Sequence, residues 1–268
     1  MDNLSDRQKR YEDASDIILT TRLPIIIRVD GKSFHKVCKK VIKPFDPGVV
    51  DCMANAMLRS IENIEGAVFG YQQSDEITFV LRNDQSLESQ PWFKNRIQKM
   101  TSVTSSLVTY NFNQHLSSLK DPPNLIGDKL FDARVFIVPS INEAVNNLIW
   151  RQLDCIRNAI TNASYYELGK KFGKKSAQGM IQNKKVDERL VLLSKECGID
   201  FEDKYPISYK RGVCAYKVPM IETSSGEEIA RNRWKLDYDT PLFVQNKTFL
   251  QTIISNGHDI YRQENIVS

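Results

Sequence analysis

Near the start of the chain, a run of apolar residues, Ile25-Ile26-Ile27-Arg28-Val29, ends at Asp30-Gly31. A short segment rich in β-branched side chains predicts a strand buried on both faces. An acid then stands where burial should end, and the glycine after it lets the backbone turn and present its carbonyl oxygen. This end of the strand is well placed to meet a cation, although Asp-Gly is also an ordinary turn sequence.

Two further strand-like segments lie at 67–71 and 77–81, separated by the polar sequence Gln72-Gln73-Ser74-Asp75-Glu76. This pattern predicts a β-hairpin. If the hairpin lies beside the first strand, Asp30 and Asp75 meet at one end of the sheet, where like charges repel unless a cation lies between them. Two carboxylates and a carbonyl are hard oxygen ligands that suit Mg²⁺, and two such ions are used in in-line phosphoryl transfer.

Helical spacing fills the gaps between these strands. Asp46-Pro47 is a typical helix start, followed by apolar residues at helical spacing as far as Ile64. The same spacing predicts helices at 92–116 and about 147–171, with a fourth strand at 131–138 between them. The order β-α-β-β-α-β suits an α+β fold of the ferredoxin-like kind, with an antiparallel sheet and helices on one face. A strand pair is also expected at 208–218.

Composition changes this picture little. The chain has 268 residues, enough for one large domain or two small ones, and its net charge of +4 is too mild to indicate nucleic acid binding by itself. The 5 cysteines are scattered, which indicates free thiols in a reducing compartment. Since the sequence shows neither a signal peptide nor a membrane-spanning run, we expect a cytoplasmic protein without membrane contact.

Basic residues are concentrated in three places. The loop at 32–43 is either a phosphate-binding loop or a solvated charge run, and its position directly after Asp30 favours phosphate. Arg96 and Lys99 crowd the start of a predicted helix against its dipole, which a bound anion would relieve; surface solubility is the alternative. Lysines and arginines recur after residue 170, where they are suited to neutralise RNA phosphates.

Five motifs occur in order along the chain. They are Arg-Val-Asp-Gly-Lys-Ser-Phe-His at 28–35, Lys-Pro-Phe-Asp at 43–46, Gly-Tyr-Gln-Gln-Ser-Asp-Glu at 70–76, Phe-Asp-Ala-Arg-Val at 131–135 and Trp-Arg-Gln-Leu-Asp-Cys at 150–155. In order and spacing they resemble the tRNA-histidine guanylyltransferase family, the 3′-to-5′ nucleotide-adding polymerases. The resemblance covers about residues 25–218.

This resemblance implies a polymerase- or cyclase-like palm with an N-terminal arm over 1–170. It also implies a basic extension over 171–268 for tRNA and subunit contacts. Two Mg²⁺ ions are expected on Asp30, the Gly31 carbonyl and Asp75, with Asp30, Asp75 and Glu76 as the catalytic acids. The residues expected to bind nucleotide are Lys32, Ser33, Phe34, His35, Asp46, Ser74, Arg96 and Lys99. Those expected to bind tRNA are Arg134, Arg151, Lys210 and Arg211. For Asp46, helix capping alone is also a sufficient explanation.

The implied reaction is 5′ adenylylation of tRNA by ATP, followed by attack of the 3′-hydroxyl of GTP or another nucleoside triphosphate. A homotetramer, a dimer of dimers, is implied too. This chain has Ile156-Arg157-Asn158-Ala159 where the family's eukaryotic guanylyltransferases carry His-Ile-Asn-Asn. The departure is typical of the like-proteins of the family, and favours template-dependent repair of tRNA 5′ ends over strict addition of G−1 to tRNA-histidine. A palm-type nucleotide cyclase and a non-catalytic RNA-binding module remain alternatives.

Overall fold

A six-stranded antiparallel sheet organises the molecule. The computed structural model describes residues 3–86, 88–224 and 227–257. The strands are β1 (Ile25–Gly31), β2 (Ala67–Gln73), β3 (Glu76–Leu81), β4 (Phe131–Ile137), β5 (Val213–Ser224) and β6 (Glu227–Asp237). Their spatial order is β4-β1-β3-β2-β5-β6. The first four strands form a ferredoxin-like palm, which confirms the predicted β-α-β-β-α-β order. The segment after residue 171 adds β5 and β6 to the same sheet.

One face of the sheet packs on the two palm helices, α3 (Pro47–Ile61) and α4 (Ile97–Ser118). Alternate residues of β1, namely Ile25, Ile27 and Val29, are buried in this layer. Because strand side chains alternate, the odd-numbered residues of β1 all point to the same core. The two helices therefore share one face, as the sequence predicts.

The other face is covered as well, by α5 (Ile141–Phe172) and α10 (Lys247–Asn256). Ile26 and Val80 are buried there with Leu148 of α5 and Ile253 of α10. The prediction of helices on one face is thus correct for α3 and α4 and incomplete for the whole chain. A sheet buried on both sides explains why β1 reads as a continuous apolar run.

The distal half of α5 supports a group of short helices. They are α6 (Lys174–Ile181), α7 (Val186–Cys197), α8 (Phe201–Lys204) and α9 (Ile207–Arg211). Leu193 of α7 and Phe201 of α8 pack on Ala159 and Ile160 of α5 in a separate small core. The predicted strand pair at 208–218 is wrong in its first half, because residues 207–211 are helical. Gly212, with φ of 78°, turns the chain from α9 into β5.

Two short helices complete the structure, α1 (Leu4–Asp13) and α2 (Phe34–Val37). The helix predicted at 92–116 begins later than expected, because Phe93 and Lys94 have φ of 48° and 54° in a 3₁₀ turn before α4. Arg96 occupies the N-cap position of α4, and its side chain makes no capping hydrogen bond. None of the described helices combines the length and apolar character needed to cross a bilayer.

Candidate functional site

Rows of side chains cross the sheet near the C-terminal end of β1. Asp30 lies between Glu76 of β3 and Asp132 of β4, because these residues are direct partners in the two ladders. In the same register, Arg28 lies between Thr78 and Arg134. Directly opposed residues share a face of the sheet, so an acidic row and a basic row lie next to each other beneath α5.

Asp75 is fixed beside Asp30 by a tight hairpin turn. Gln73 and Glu76 are paired, which leaves Ser74 and Asp75 as a two-residue connection between β2 and β3. The Gly31 N–H donates to the Asp75 carbonyl oxygen at 3.1 Å, and this bond ties the turn to the end of β1. Asp30, Gly31 and Asp75 line the same cleft. The structure therefore brings together the three residues that the sequence predicts for the metal site.

The electrostatics of the two aspartates favour a bound cation. Burial raises the pKa of the Asp75 carboxyl, and the charges of Asp30 and Glu76 act in the same direction, against a hydrogen bond from Ser74 Oγ. Burial, followed by the charge of Asp132, also raises the pKa of Asp30. Both ionised carboxylates are thus disfavoured without a counter-charge. Two crowded carboxylates with a backbone carbonyl beside them fit Mg²⁺, which prefers hard oxygen ligands.

Glu76 has a different partner. Arg151 Nε of α5 donates to Glu76 Oε1 at 2.7 Å, with 8% and 11% of the two side chains exposed. Arg151 also donates to Asp154 at 2.8 Å. A buried, doubly paired guanidinium holds α5 on the sheet. These contacts argue against the predicted tRNA contact by Arg151, and they place Glu76 as a support next to Asp75.

The cleft in front of the aspartates has a volume of about 550 Å³. That size is within the range of pockets for small molecules. Its walls include residues of the segment 33–46, the α5 residues Asn158, Asn162 and Tyr166, the end of β2 at Gln72, and Ser208 with Tyr209. Gln72 is buried in the wall, and its Oε1 has no hydrogen-bond donor among the described residues. An unpartnered buried acceptor of this kind is suited to a ligand N–H or O–H.

The loop after Asp30 follows the prediction in part. Ser33, Phe34 and His35 line the cleft, whereas Lys32 is exposed and lies outside it. The N–H of Lys32 donates to the Leu130 carbonyl at 2.9 Å, so this N–H is not available for a phosphate. Phe34 is buried, and any Cβ at position 31 would lie only 2.4 Å from its ring. Only glycine fits at position 31.

Asp46 lines the cleft and also caps α3. One carboxylate oxygen accepts from the N–H groups of Gly48 and Val49, and the other accepts from Ile42 N–H. The capping role is confirmed. Because both oxygens already have backbone donors, a nucleotide contact would use their remaining lone pairs.

Arg96 and Lys99 lie at the far end of the sheet. Arg96 pairs with Asp16 at 2.9 Å, and Lys99 lies 5.8 Å from the centre of the Phe93 ring. Phe112, later in α4, packs against Phe34 at the cleft end of the molecule. With a rise of about 1.5 Å per residue, Arg96 is roughly 24 Å from Phe112 along the helix. The geometry argues against nucleotide binding by Arg96 and Lys99 in the cleft of their own chain.

The remaining predicted RNA contacts differ in exposure. Lys210 is buried and donates to the Glu202 carboxylate at 2.8 Å, which argues for a structural role. Arg211 is half-buried with Glu202 at 3.8 Å, and Arg134 is exposed on β4 with Asp132 at 3.8 Å. Arg134 and Arg211 are therefore the two predicted cations that keep donors available for a phosphate.

Sequence reasoning missed several cleft residues. Asn158, Asn162 and Tyr166 are spaced i, i+4 and i+8 on α5, so they form one stripe along the cleft. That polar stripe on an otherwise amphipathic helix is a signal that the sequence does contain. Tyr209 could not have been placed in the same way, because its segment was predicted as a strand and is helical in the structure.

A ferredoxin-like palm with two crowded aspartates at the mouth of this cleft defines the class of palm-fold nucleotide-handling proteins. Comparison with known families is more specific. A family model described as tRNAHis guanylyltransferase matches residues 5–139, and one described as Thg1 C terminal domain matches residues 143–259. The chain belongs to the tRNA(His) guanylyltransferase family.

Individual relatives agree with this assignment. A probable tRNA(His) guanylyltransferase of Homo sapiens is 30% identical over 193 residues, covering 70% of this chain and 62% of that protein, so the chain spans less than two thirds of its length. A bacterial tRNA(His) guanylyltransferase-like protein in complex with ATP is 32% identical, with a TM-score of 0.79 and coverage of 94% and 99% of the two chains. Another such structure, in complex with GTP, is 31% identical with a TM-score of 0.73 and the same coverage of 94% and 99%.

Proposed function

We propose that this protein is a Mg²⁺-dependent nucleotidyltransferase that adds nucleotides to the 5′ end of tRNA in the 3′-to-5′ direction. The observation that carries the proposal is the crowding of Asp30 and Asp75 at the mouth of a cleft of about 550 Å³. Family membership and the ATP and GTP complexes of similar bacterial proteins support nucleotides as its occupants.

In this proposal Asp30, the Gly31 carbonyl and Asp75 hold the two ions. Bound Mg²⁺ would offset the negative charge of the triphosphate and of the attacking oxygen. The chain's own contribution is position and charge, as in other phosphoryl transfers. The strand ladder and the hairpin turn fix the positions of Asp30 and Asp75. The Arg151–Glu76 ion pair holds α5, and with it the cleft residues of α5, against the sheet.

Two substrate reactions follow each other. The 5′-monophosphate of tRNA attacks the α-phosphate of ATP, which forms an adenylylated end and releases pyrophosphate. The 3′-hydroxyl of GTP or another nucleoside triphosphate then attacks the 5′-phosphate and displaces AMP. In this proposal the N–H groups of residues 33–35 and Ser74 orient the triphosphate. Arg134 and Arg211 contact tRNA, and the basic segment over 171–268 adds further contacts within a homotetramer.

The reaction is proposed to be template-dependent repair rather than strict G−1 addition. Ile156 stands where the family's eukaryotic enzymes carry histidine, and it packs against the small core around Phe201. An apolar side chain in that place offers no hydrogen bond to a base or a phosphate. Nucleotide choice would then come from pairing with the opposite strand of the acceptor stem. The expected cytoplasmic location stays a prediction.

The test is incubation of a 5′-truncated tRNA with ATP and each nucleoside triphosphate, watching for growth at the 5′ end. Asp75→Ala should abolish both the adenylylation and the extension. Asp121→Ala, an exposed acid outside the cleft, is the matched control and should leave both reactions unchanged. Full activity of Asp75→Ala in Mg²⁺ would exclude this site. A cyclic product formed from nucleotide alone would instead identify a cyclase.

A further inference from the structure

Two arginines face each other across β1 and β4. Arg28 and Arg134 are direct partners in the antiparallel ladder, on the face of the sheet that α5 covers. Like charges that are directly opposed destabilise a sheet. An anion that contacts both guanidinium groups would remove this repulsion. A polyanionic ligand would therefore stabilise this pair of opposed arginines, whereas their direct opposition in the ladder does not.

The neighbouring acids neutralise this pair only in part. Among the described residues, Arg28 has no ion-pair partner, and Arg134 has Asp132 alone, at 3.8 Å, with 54% of the Arg134 side chain exposed. Arg28 and Asp30 are alternate residues of β1, and Arg134 and Asp132 are alternate residues of β4, so the arginines share the face of the proposed catalytic aspartate, one row away. The basic pair is thus continuous with the proposed active site and still accessible from outside.

An exposed tryptophan lies over the same place. Trp150 of α5 is 53% exposed, with the Arg28 guanidinium 5.6 Å from its ring centre and the Arg151 guanidinium 4.4 Å away. Exposure of a tryptophan to water is unfavourable, because its side chain has a large apolar surface. The Arg28 contact joins the ring to the basic pair, and about half of the Trp150 side chain stays accessible to a ligand.

We propose that Trp150, Arg28 and Arg134 form a platform that binds the unpaired end of an RNA strand. A terminal base stacks on the Trp150 ring, and the two arginines contact the phosphates that follow. Stacking on aromatic rings combined with backbone neutralisation is how proteins bind single-stranded RNA. This inference rests on the proposed function, in which the RNA is the tRNA acceptor end and its terminal phosphate must reach Asp30.

Charge is the reason to choose RNA over a second copy of this chain. An interface between protein copies would bury the opposed arginines against each other's surface and would need acids to pair them. RNA brings its own phosphates. Leu153 and Arg157 continue the exposed stripe of α5 at i+3 and i+7, and so extend an apolar and cationic surface away from Trp150.

Binding of tRNA and of a short single-stranded RNA should be measured for Trp150→Ala and Trp150→Phe. Loss of the ring is expected to weaken binding roughly 5- to 150-fold, the range for one stacked base, whereas phenylalanine should retain most of the affinity. Arg28→Gln should lower the slope of log affinity against log salt by about 0.7 for the single strand. Tyr110→Ala is the matched control, because Tyr110 is 64% exposed on α4, on the opposite side of the sheet.

Activity and fluorescence separate the possible results. The KM for tRNA should rise in Trp150→Ala while the KM for ATP stays constant, and RNA should quench tryptophan fluorescence in the wild type but much less in Trp150→Phe. Unchanged RNA affinity in Trp150→Ala would overturn the platform. If Trp150→Ala changes the mass of the assembly measured by light scattering and leaves RNA affinity unchanged, the face is a protein interface and the platform is also overturned.

If Trp150→Ala fails to fold, two other measurements test the same proposal. They are the fluorescence quenching of Trp150→Phe and the salt dependence of RNA binding by Arg28→Gln. The two proposals fail in different ways. A wild-type protein that yields no 5′ product but loses RNA affinity on Trp150→Ala would refute the proposed reaction and leave the platform standing. A wild type that extends tRNA, with Trp150→Ala equal to it in RNA affinity, would do the opposite.

Discussion

The buried pair between Arg151 and Glu76 gives the sharpest test of how the site is held. In Arg151→Met the apolar chain keeps most of the volume, while Glu76 remains buried without its cation. Removing one partner of a buried ion pair costs about 3–5 kcal/mol. For a chain of this size, about 2–4 °C of melting temperature is lost per kcal/mol. We therefore expect melting to fall by about 10 °C.

Two companion variants show whether the burial of the charge is the cause. Glu76→Gln keeps an acceptor for Arg151, so its cost should be smaller, about 1–3 kcal/mol. Arg157→Met is the matched control on the same helix, because Arg157 pairs with Asp154 while 62% of its side chain is exposed. Exposed pairs contribute at most about 1 kcal/mol, and melting should barely change.

Thermal unfolding by circular dichroism and tRNA binding well below the melting temperature are the two assays. If Arg151 has a structural role, Arg151→Met should lose much of its stability while its tRNA affinity changes by less than about two-fold. A change of 1.4 kcal/mol in binding free energy would alter the affinity tenfold. An unchanged melting temperature together with a strong loss of tRNA affinity would refute this reasoning and restore Arg151 as an RNA contact.

Three further predictions follow from single residues. Burial and the Asp30 charge hold the pKa of Asp75 above its ordinary value of 3.8. Ionisation of Asp75 therefore opposes folding, and the folded state loses stability as the pH rises from 3.8 through the raised pKa. In EDTA at pH 7, Asp75→Asn should melt at a higher temperature than wild type, and the difference between the two melting temperatures should close toward pH 4. An equal gap at both pH values would contradict this. Asp46→Ala removes a helix cap and should cost about 1 kcal/mol in denaturant unfolding, whereas Asp46→Asn should cost less. Gly212→Ala places a Cβ 2.3 Å from the Gln72 carbonyl oxygen at a φ of +78°, so backbone strain alone should cost about 1–3 kcal/mol; a wild-type melting temperature would show that α9 can shift.

The parts of the fold that the sequence predicts well are those encoded locally. The apolar run of β1 and the strand-turn-strand pattern at 67–81 carry their own periodicity, and both appear in the structure. Once these strands pair, Asp30 and Asp75 must meet, since the ladder register leaves no other place for the turn. The residues of the proposed metal site could therefore be brought together from strand pattern alone.

Contacts between distant segments could not be predicted in the same way. Arg151 and Glu76 are 75 residues apart, and no local pattern shows that α5 crosses the sheet at that point. Basic residues show the difficulty most clearly, because a lysine or arginine reads the same whether it meets a phosphate or a carboxylate. Lys210 meets Glu202, and Arg96 meets Asp16 at the far end of the molecule. Charge alone therefore does not distinguish a contact with nucleotide or RNA from an ion pair within the chain.

The two-residue turn at Ser74 and Asp75 has a consequence for how such a protein can diversify. Ladder partners on both sides determine its length, so an insertion there would displace Asp75 from Asp30 and disrupt the proposed metal site. The opposite wall of the cleft is assembled from α5, α9 and the segment at 41–46, where substitutions leave the turn unaltered. Ile156, a departure from the family's eukaryotic enzymes, lies on α5 directly after the cleft residue Cys155. Substrate preference can thus drift from one lineage to the next while the spacing between the two carboxylates stays the same.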